Sequence, residues 1–264
     1  MNAAMNVKKE MTQLLKDLHL PTVRQCYEPV AREAERESVS YENYLLEVIR
    51  KECEQRRQKK IERLLRASRL PLEKSLAAFD LKRLPQTVCH RVNSLLEGHF
   101  LDRKENVLAF GNPGSGKSHL LCAIGQELIS RYARHVYFTS CNLLVQELLI
   151  AKRDLKLSRL FKKLSKYEAI VIDDIGYVQQ DREEMEVLFT LLAERYERGS
   201  VMITSNLAFS QWEKIFKDPM TTAAAIDRLV HHSVILELNI PSYRYEKAKR
   251  SAEVSKSTEK ENRV

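Results

Sequence analysis

Cysteine is scarce and unpaired in this sequence. The five residues Cys26, Cys53, Cys89, Cys122 and Cys141 are odd in number, widely spaced and contain no C-x-x-C pair. That excludes a disulfide framework or a thiolate zinc site as an organising device and leaves reduced packing residues. Long apolar runs are missing too. The most apolar stretch, Ala169 to Ile172, is far too short to cross a bilayer, and no apolar leader core follows Met1. A cytoplasmic protein with no membrane partner is therefore expected. No internal repeat or low-complexity tract is present. Glycine is sparse, with seven residues, yet three of them (Gly111, Gly114 and Gly116) crowd into one short stretch.

With 264 residues, 44% of them hydrophobic and 30% charged, the chain can bury a full core and has room for one large domain and a smaller one. The net charge of +8 is local in origin. Residues 51–70 carry eight Lys/Arg against three Glu, and residues 151–166 carry seven against one Asp. Such basic faces suggest a polyanion partner.

The crowded glycines belong to Gly111-Asn112-Pro113-Gly114-Ser115-Gly116-Lys117-Ser118, which follows the apolar run Val107 to Phe110 and leads into a helical pattern at Leu120, Leu121, Ile124 and Leu128. Strand, glycine-rich loop and helix in that order are the context of a P-loop. Glycine tolerates the positive φ angles that turn backbone amides inward onto a phosphate, and the helix adds its own unpaired N–H groups. Lys117 then sits between the β- and γ-phosphates of ATP, and the Ser118 hydroxyl ligands Mg²⁺.

The first third reads as helical. Met11, Leu14, Leu15 and Leu18 follow helical spacing, Pro21 restarts the chain, and a pattern opened by Ser40 runs from Tyr44 to Leu70 before Pro71. Within it Arg56, Lys59, Arg63 and Arg66 step by three or four residues, so they share a face that is either solvated or in contact with nucleic acid. Three segments are expected: a helical N-terminal domain (1–75), a nucleotide domain (76–245) entered through a connector at 71–105, and a charged, disordered tail (246–264). Strands are expected at Asn106 to Phe110, His135 to Thr139, Ala169 to Asp173, Ser200 to Thr204 and Ser233 to Leu238, with helices between them. That alternation predicts an α/β fold with a five-stranded parallel sheet covered by helices.

Two further strands end in polar residues. Ala169 to Ile172 leads into Asp173 and Asp174, and carboxylates at the carboxyl edge of a parallel strand stand where open α/β sheets bind ligands. Asp173 is placed to hold Mg²⁺ and Asp174 to orient or deprotonate the attacking water. The run Val201 to Thr204 ends in Ser205-Asn206, which offers a neutral amide to the γ-phosphate and to that water. His231 and His232 lack neighbours at metal spacing and read as structural. Trp212, Phe209 and Phe216 read as packing residues.

Gly111 to Ser118, Ala169 to Asp174 and Thr204 to Asn206 resemble the Walker A, Walker B and sensor 1 elements of AAA+ ATPases. Arg228 in Ile226-Asp227-Arg228-Leu229-Val230-His231-His232 and Arg244 in Pro241-Ser242-Tyr243-Arg244 are similar to the arginine finger and sensor 2 of the DnaC/IstB branch. Glu194-Arg195-Tyr196, the stretch from Asn206 to Trp212, Leu18 to Pro21, Ser40 to Tyr44 and Phe79-Asp80-Leu81 extend the likeness to IstB, the ATPase helper of a transposase, over nearly the whole chain. The resemblance implies a P-loop AAA+ domain behind a small all-α domain, with ATP and Mg²⁺ as cofactors and Arg228 supplied to a neighbouring subunit in a homo-oligomer. It also implies that the protein assembles on duplex DNA, largely without regard to sequence, and recruits a cognate transposase. A replicative helicase loader of the DnaC type is the alternative. Asp174 stands where most AAA+ enzymes carry Glu, and the shorter carboxylate suggests slow hydrolysis. A helical insert after the second strand is a family feature that Cys141 to Lys166 fits. Lys152, Lys156, Arg159, Lys163 and Lys166 would lie on one face of a helix there, as a DNA-contacting stripe.

Overall fold

A computed structural model describes residues 2–175, 182–207, 211–212, 226–227, 229–243 and 245. The chain divides into two compact units, residues 1–63 and 64–264. The boundary read from the sequence at 75 thus falls inside the second unit. Leu64, Ser68 and Leu70 are buried, and Leu70 packs against Gly125 of that unit.

The first unit holds α1 (Asn2–Asp17), α2 (Pro21–Arg36) and most of α3 (Tyr41–Ser68). Proline opens α2, where a missing amide hydrogen does no harm, but the N-cap residue Leu20 offers no side-chain acceptor. Glu52 of α3 supplies it instead: its Oε2 accepts the Thr22 and Val23 amides at 2.8 and 3.1 Å. Arg56 donates to the other carboxylate oxygen at 2.7 Å and also reaches the His19 carbonyl. Glu52 is only 3% exposed, and burial opposes its ionisation. The hydrogen bonds from Arg56, Val23 and Thr22 outweigh that penalty and hold its carboxyl below the usual range.

The second unit is built on β1 (Asn106–Gly111), β2 (Val136–Ser140), β3 (Ala169–Ile175), β4 (Ser200–Ser205) and β5 (Ser233–Leu238). They form one parallel sheet in the order β2-β3-β4-β1-β5. Alternate side chains (Leu108, Phe110, Ile170, Ile172, Val201 and Ile203) join a core with α7 (Cys141–Arg153), α8 (Leu157–Leu164) and α9 (Arg182–Arg195). The intervening Val107, Ala109, Val171 and Met202 are equally buried, and α6 (Lys117–Tyr132) packs on the strands. A strand buried on both faces needs apolar residues at every position, which is why the runs Val107 to Phe110 of β1 and Ala169 to Ile172 of β3 are continuous, whereas the edge strand β5 admits the exposed Glu237.

The connector contains α4 (Gln86–Leu96) and α5 (His99–Asp102), because Val88, Val92 and Leu95 at helical spacing bury one face of α4. The helical insert consists of α7 and α8. The chain breaks between Arg153 and Leu157 with Leu155 at φ 55°, so Lys152 and Lys156 do not continue a single-helix stripe with Arg159 and Lys163. Arg195, 5% exposed, closes this region from within. Its guanidinium donates to the carbonyls of Leu164, Tyr167, Glu168 and Ser200 at 3.0 to 3.2 Å. Burial pulls its pKa down to about 10, which leaves it charged at neutral pH. Among the described residues no helix is long and apolar enough to cross a membrane.

Candidate functional site

Because the strands are parallel, β1, β3 and β4 all deliver their last residues to the same sheet edge. From β1 the chain enters the glycine-rich loop with Gly111 at φ 147°, Gly114 at φ 80° and Gly116 at φ 95°. Gly111 has a second constraint: a Cβ there would lie 2.3 Å from the Leu238 carbonyl oxygen. The loop feeds α6, and its carbonyls hold Lys117, whose Nζ donates to Gly111 and Asn112 at 2.8 and 2.9 Å. The Lys117 side chain, 5% exposed, is thus satisfied inside the loop. The Ser115 hydroxyl is not: it is buried and has no partner among the described residues.

A cavity of about 390 Å³ opens over the loop. Pro113 to His119 form its floor, Asp174 and Asn206 line it from β3 and β4, and Phe79, Asp80, Arg83, Ile240 and Tyr243 line it elsewhere. The Tyr243 amide donates to the Gly114 carbonyl at 3.0 Å, and Arg83 donates to the Pro241 carbonyl at 3.0 Å while stacking on the Tyr243 ring. Volume, phosphate-type loop and partly apolar wall suit a nucleotide. The orphaned Ser115 hydroxyl and the oxygen donors Ser118 and Asp173 suit its phosphates and a hard divalent cation.

The two acids are held in an unusual way. β3 pairs with β4 at Ile172 and Ile203, then at Ile175 and Ser205, so Asp173 and Asp174 together oppose Thr204 in a bulge. Asp174 has φ 62°, and its amide donates to Thr204 Oγ1 at 2.8 Å. The same hydroxyl donates to Asp173 Oδ1 at 2.6 Å. Thr204 is fully buried; the sequence places it within the stretch resembling sensor 1 but assigns the chemistry there to Asn206 alone.

Arg228 and Arg244 lie outside the described residues, as do Phe209 and Phe216. The neighbours of both arginines are described. Leu229 is tied to the far end of the sheet: Asn106, the first residue of β1, donates from Nδ2 to its carbonyl at 3.2 Å and accepts the Val201 amide at 2.9 Å. Five residue steps separate Asn106 from Gly111, roughly 16 Å of strand. Tyr243 by contrast rests on the loop itself. Trp212 is 1% exposed and packs near Phe110, as its packing role requires. His231 and His232 stack on each other at 4.2 Å. Cys122 in α6 is driven up to about 12 by burial and is an inert thiol.

The basic candidates are not alike. Lys152, Lys156 and Lys163 pair with Glu186, Asp154 and Glu147 at 3.3, 2.9 and 3.4 Å, and Arg56 serves Glu52. Arg159 and Lys162 on α8, with Lys166 just beyond it, are exposed and have no acidic partner among the described residues. Lys59 and Arg63 are exposed along α3 in the first unit, and Arg66 lies beyond the division.

A phosphate loop entering a helix beside paired acids, on a parallel sheet with β4 between the loop strand and the acid strand, defines a P-loop nucleotide-binding protein of the AAA+ type. Solved structures with this fold include the DnaC helicase loader (TM-score 0.52, 16% identity, covering 64% of this chain and 97% of that one). Another is AMPPCP-bound DnaA from Aquifex aeolicus (TM-score 0.54, 18% identity, covering 69% and 56%). The sequence carries the assignment further, since residues 13–252 match the model for IstB-like ATP binding proteins, and the chain belongs to that family. An insertion-sequence ATP-binding protein of Sinorhizobium fredii is 41% identical over 88% of this chain and 78% of its own. The ATP-binding proteins of insertion sequences IS5376 of Geobacillus stearothermophilus and IS21 of Pseudomonas aeruginosa are 34% and 33% identical, over 90% and 94% of this chain and 94% of each relative.

Proposed function

We propose that this chain is an ATP-dependent transposition helper, an ATPase that assembles on duplex DNA with little regard to sequence and recruits or regulates a cognate transposase. The observation that carries this reading is the meeting of Lys117, Ser118, Asp174 and Asn206 on one cavity, in a chain whose relatives belong to insertion sequences.

The amides of the loop from Gly111 to Gly116 bind the β- and γ-phosphates of ATP, and Lys117 exchanges two carbonyls for phosphate oxygens. Ser118 and Asp173 would hold Mg²⁺, which would supply neutralisation of the charge on those phosphates. Asp174 orients the attacking water and accepts its proton, and Asn206 hydrogen-bonds the water and the γ-phosphate without adding charge. The tether of Leu229 at the opposite sheet edge supports a trans role for Arg228, acting on a neighbour's nucleotide. ATP then sits at the interfaces of a homo-oligomer and glues them. Arg244, next to Tyr243, serves the nucleotide of its own chain. In that assembly the exposed Lys59 and Arg63 of α3 and Arg159, Lys162 and Lys166 of the insert face duplex phosphates, with Lys152, Lys156 and Lys163 contributing less.

Sedimentation and electron microscopy with duplex DNA and a non-hydrolysable ATP analogue test the reading. Wild type forms closed or helical oligomers on DNA, and Lys117→Ala forms none. Equal self-association and duplex capture by the two proteins would overturn it. The DnaC-like fold supports a helicase-loader reading at a lower level of identity, and capture of a replicative helicase in place of the transposase is the result that would favour it.

A further inference from the structure

The Thr204 hydroxyl sits at the centre of the bulge. Its bonding has only one solution. The Asp174 amide can only donate, so it takes a lone pair of Thr204 Oγ1 at 2.8 Å. The single hydroxyl proton is then free for Asp173 Oδ1, 2.6 Å away. One buried group thereby does two things. It replaces the ladder bond that the bulge removes from Asp174, and it fixes the orientation of the Asp173 carboxyl group by holding Oδ1. The constraint on Asp174 matters because φ 62° is a strained setting for a residue other than glycine and persists only where its surroundings impose it.

We propose that Thr204 is a positioning residue for ATP hydrolysis, setting both Walker B acids through one hydroxyl; this rests on the ATPase reading above. Thr204 is not among the residues that line the cavity and acts through the acids it holds. Its loss leaves the phosphate loop intact and misplaces the groups that hold the cation and orient the water.

Thr204→Val keeps the shape and removes the hydrogen bonds, whereas Thr204→Ser keeps the hydroxyl and removes the methyl. Outer-shell partners of metal ligands are worth about 10-fold to 100-fold in metal affinity or turnover. In the full-length protein, Thr204→Val is therefore expected to raise the Mg²⁺ concentration for half-maximal binding of a fluorescent ATP analogue by about 10-fold and to lower DNA-stimulated kcat by at least as much. Nucleotide affinity at saturating Mg²⁺ stays within about 3-fold of wild type, and Thr204→Ser restores all three readouts. Wild-type Mg²⁺ dependence in Thr204→Val overturns the proposal. So does an equal loss in Thr204→Ser, which would make the methyl packing responsible; that comparison also decides the matter if the valine variant does not fold. Absence of turnover in wild type would count against the ATPase reading, while the Mg²⁺ titration still reads Thr204 alone.

Discussion

Glu52 and Arg56 are one helical turn apart on α3, joined at 2.7 Å, and together they cap a different helix. A buried carboxylate that closes α2 has its pKa lowered on folding, so the folded chain binds fewer protons than the unfolded one near that pKa. Its stabilisation is complete above about pH 4.5, the ordinary value, and is lost as pH falls through the lower folded value. Urea melts followed by circular dichroism should show wild type weakening in that acid window and Glu52→Gln nearly flat across it. At neutral pH, Glu52→Ala should lose about 1–2 kcal/mol, the usual cost of an uncapped helix N-terminus. Arg56→Ala should lower stability while leaving the salt dependence of DNA binding unchanged.

Gly111 combines φ 147° with a Leu238 carbonyl where a Cβ would go. The close atom belongs to the backbone of β5, so it cannot swing aside. Gly111→Ala should destabilise the fold by about 2 kcal/mol or more and abolish nucleotide binding. A thermal melt within 1 °C of wild type, a shift of only about 0.3 kcal/mol, would show that the loop accommodates the methyl.

Ser115 makes an opposite prediction for stability and for binding. Its buried hydroxyl has no partner among the described residues, so Ser115→Ala should leave the empty protein as stable as wild type or slightly more so. The same change should weaken ATP-analogue binding by about 1 kcal/mol, the value of one hydrogen bond. Calorimetry of both quantities on one preparation checks the pair of signs.

Among the cations of the insert, the paired and unpaired groups should differ in DNA binding. Each cation that neutralises a phosphate contributes about 0.9 to the slope of log affinity against log salt. Arg159→Gln and Lys162→Gln should each flatten that slope by about this amount. Lys156→Gln and Lys163→Gln should do less, because Asp154 and Glu147 already hold those charges. Titrations at several salt concentrations decide the order.

The strands were legible because a parallel sheet clad on both faces demands uninterrupted apolar runs, and Val107 to Phe110 or Ala169 to Ile172 admit little else. The phosphate loop was legible because its chemistry needs contiguous residues. Thr204 was not, since a threonine in a strand is ordinary β-former usage until the register puts two acids opposite it. Glu52 as the cap of α2 depends on residues some thirty positions apart, beyond any local pattern. The break before α8 lacks glycine or proline: Asp154-Leu155-Lys156 carries no punctuation, and the turn is imposed by the burial of Leu160 and Leu164. Arg195 stands out in the sequence only within Glu194-Arg195-Tyr196 as part of the family likeness, and its burial among carbonyls depends on distant residues.

That arginine also ties separate elements together. Its guanidinium grips the end of α8 at Leu164, the residue just ahead of β3 at Glu168 and the first residue of β4 at Ser200, with Gly199 leaving it room. One planar ion thereby fastens the insert to the feet of the two strands whose far ends carry Asp173 and Asp174 and lead into Asn206.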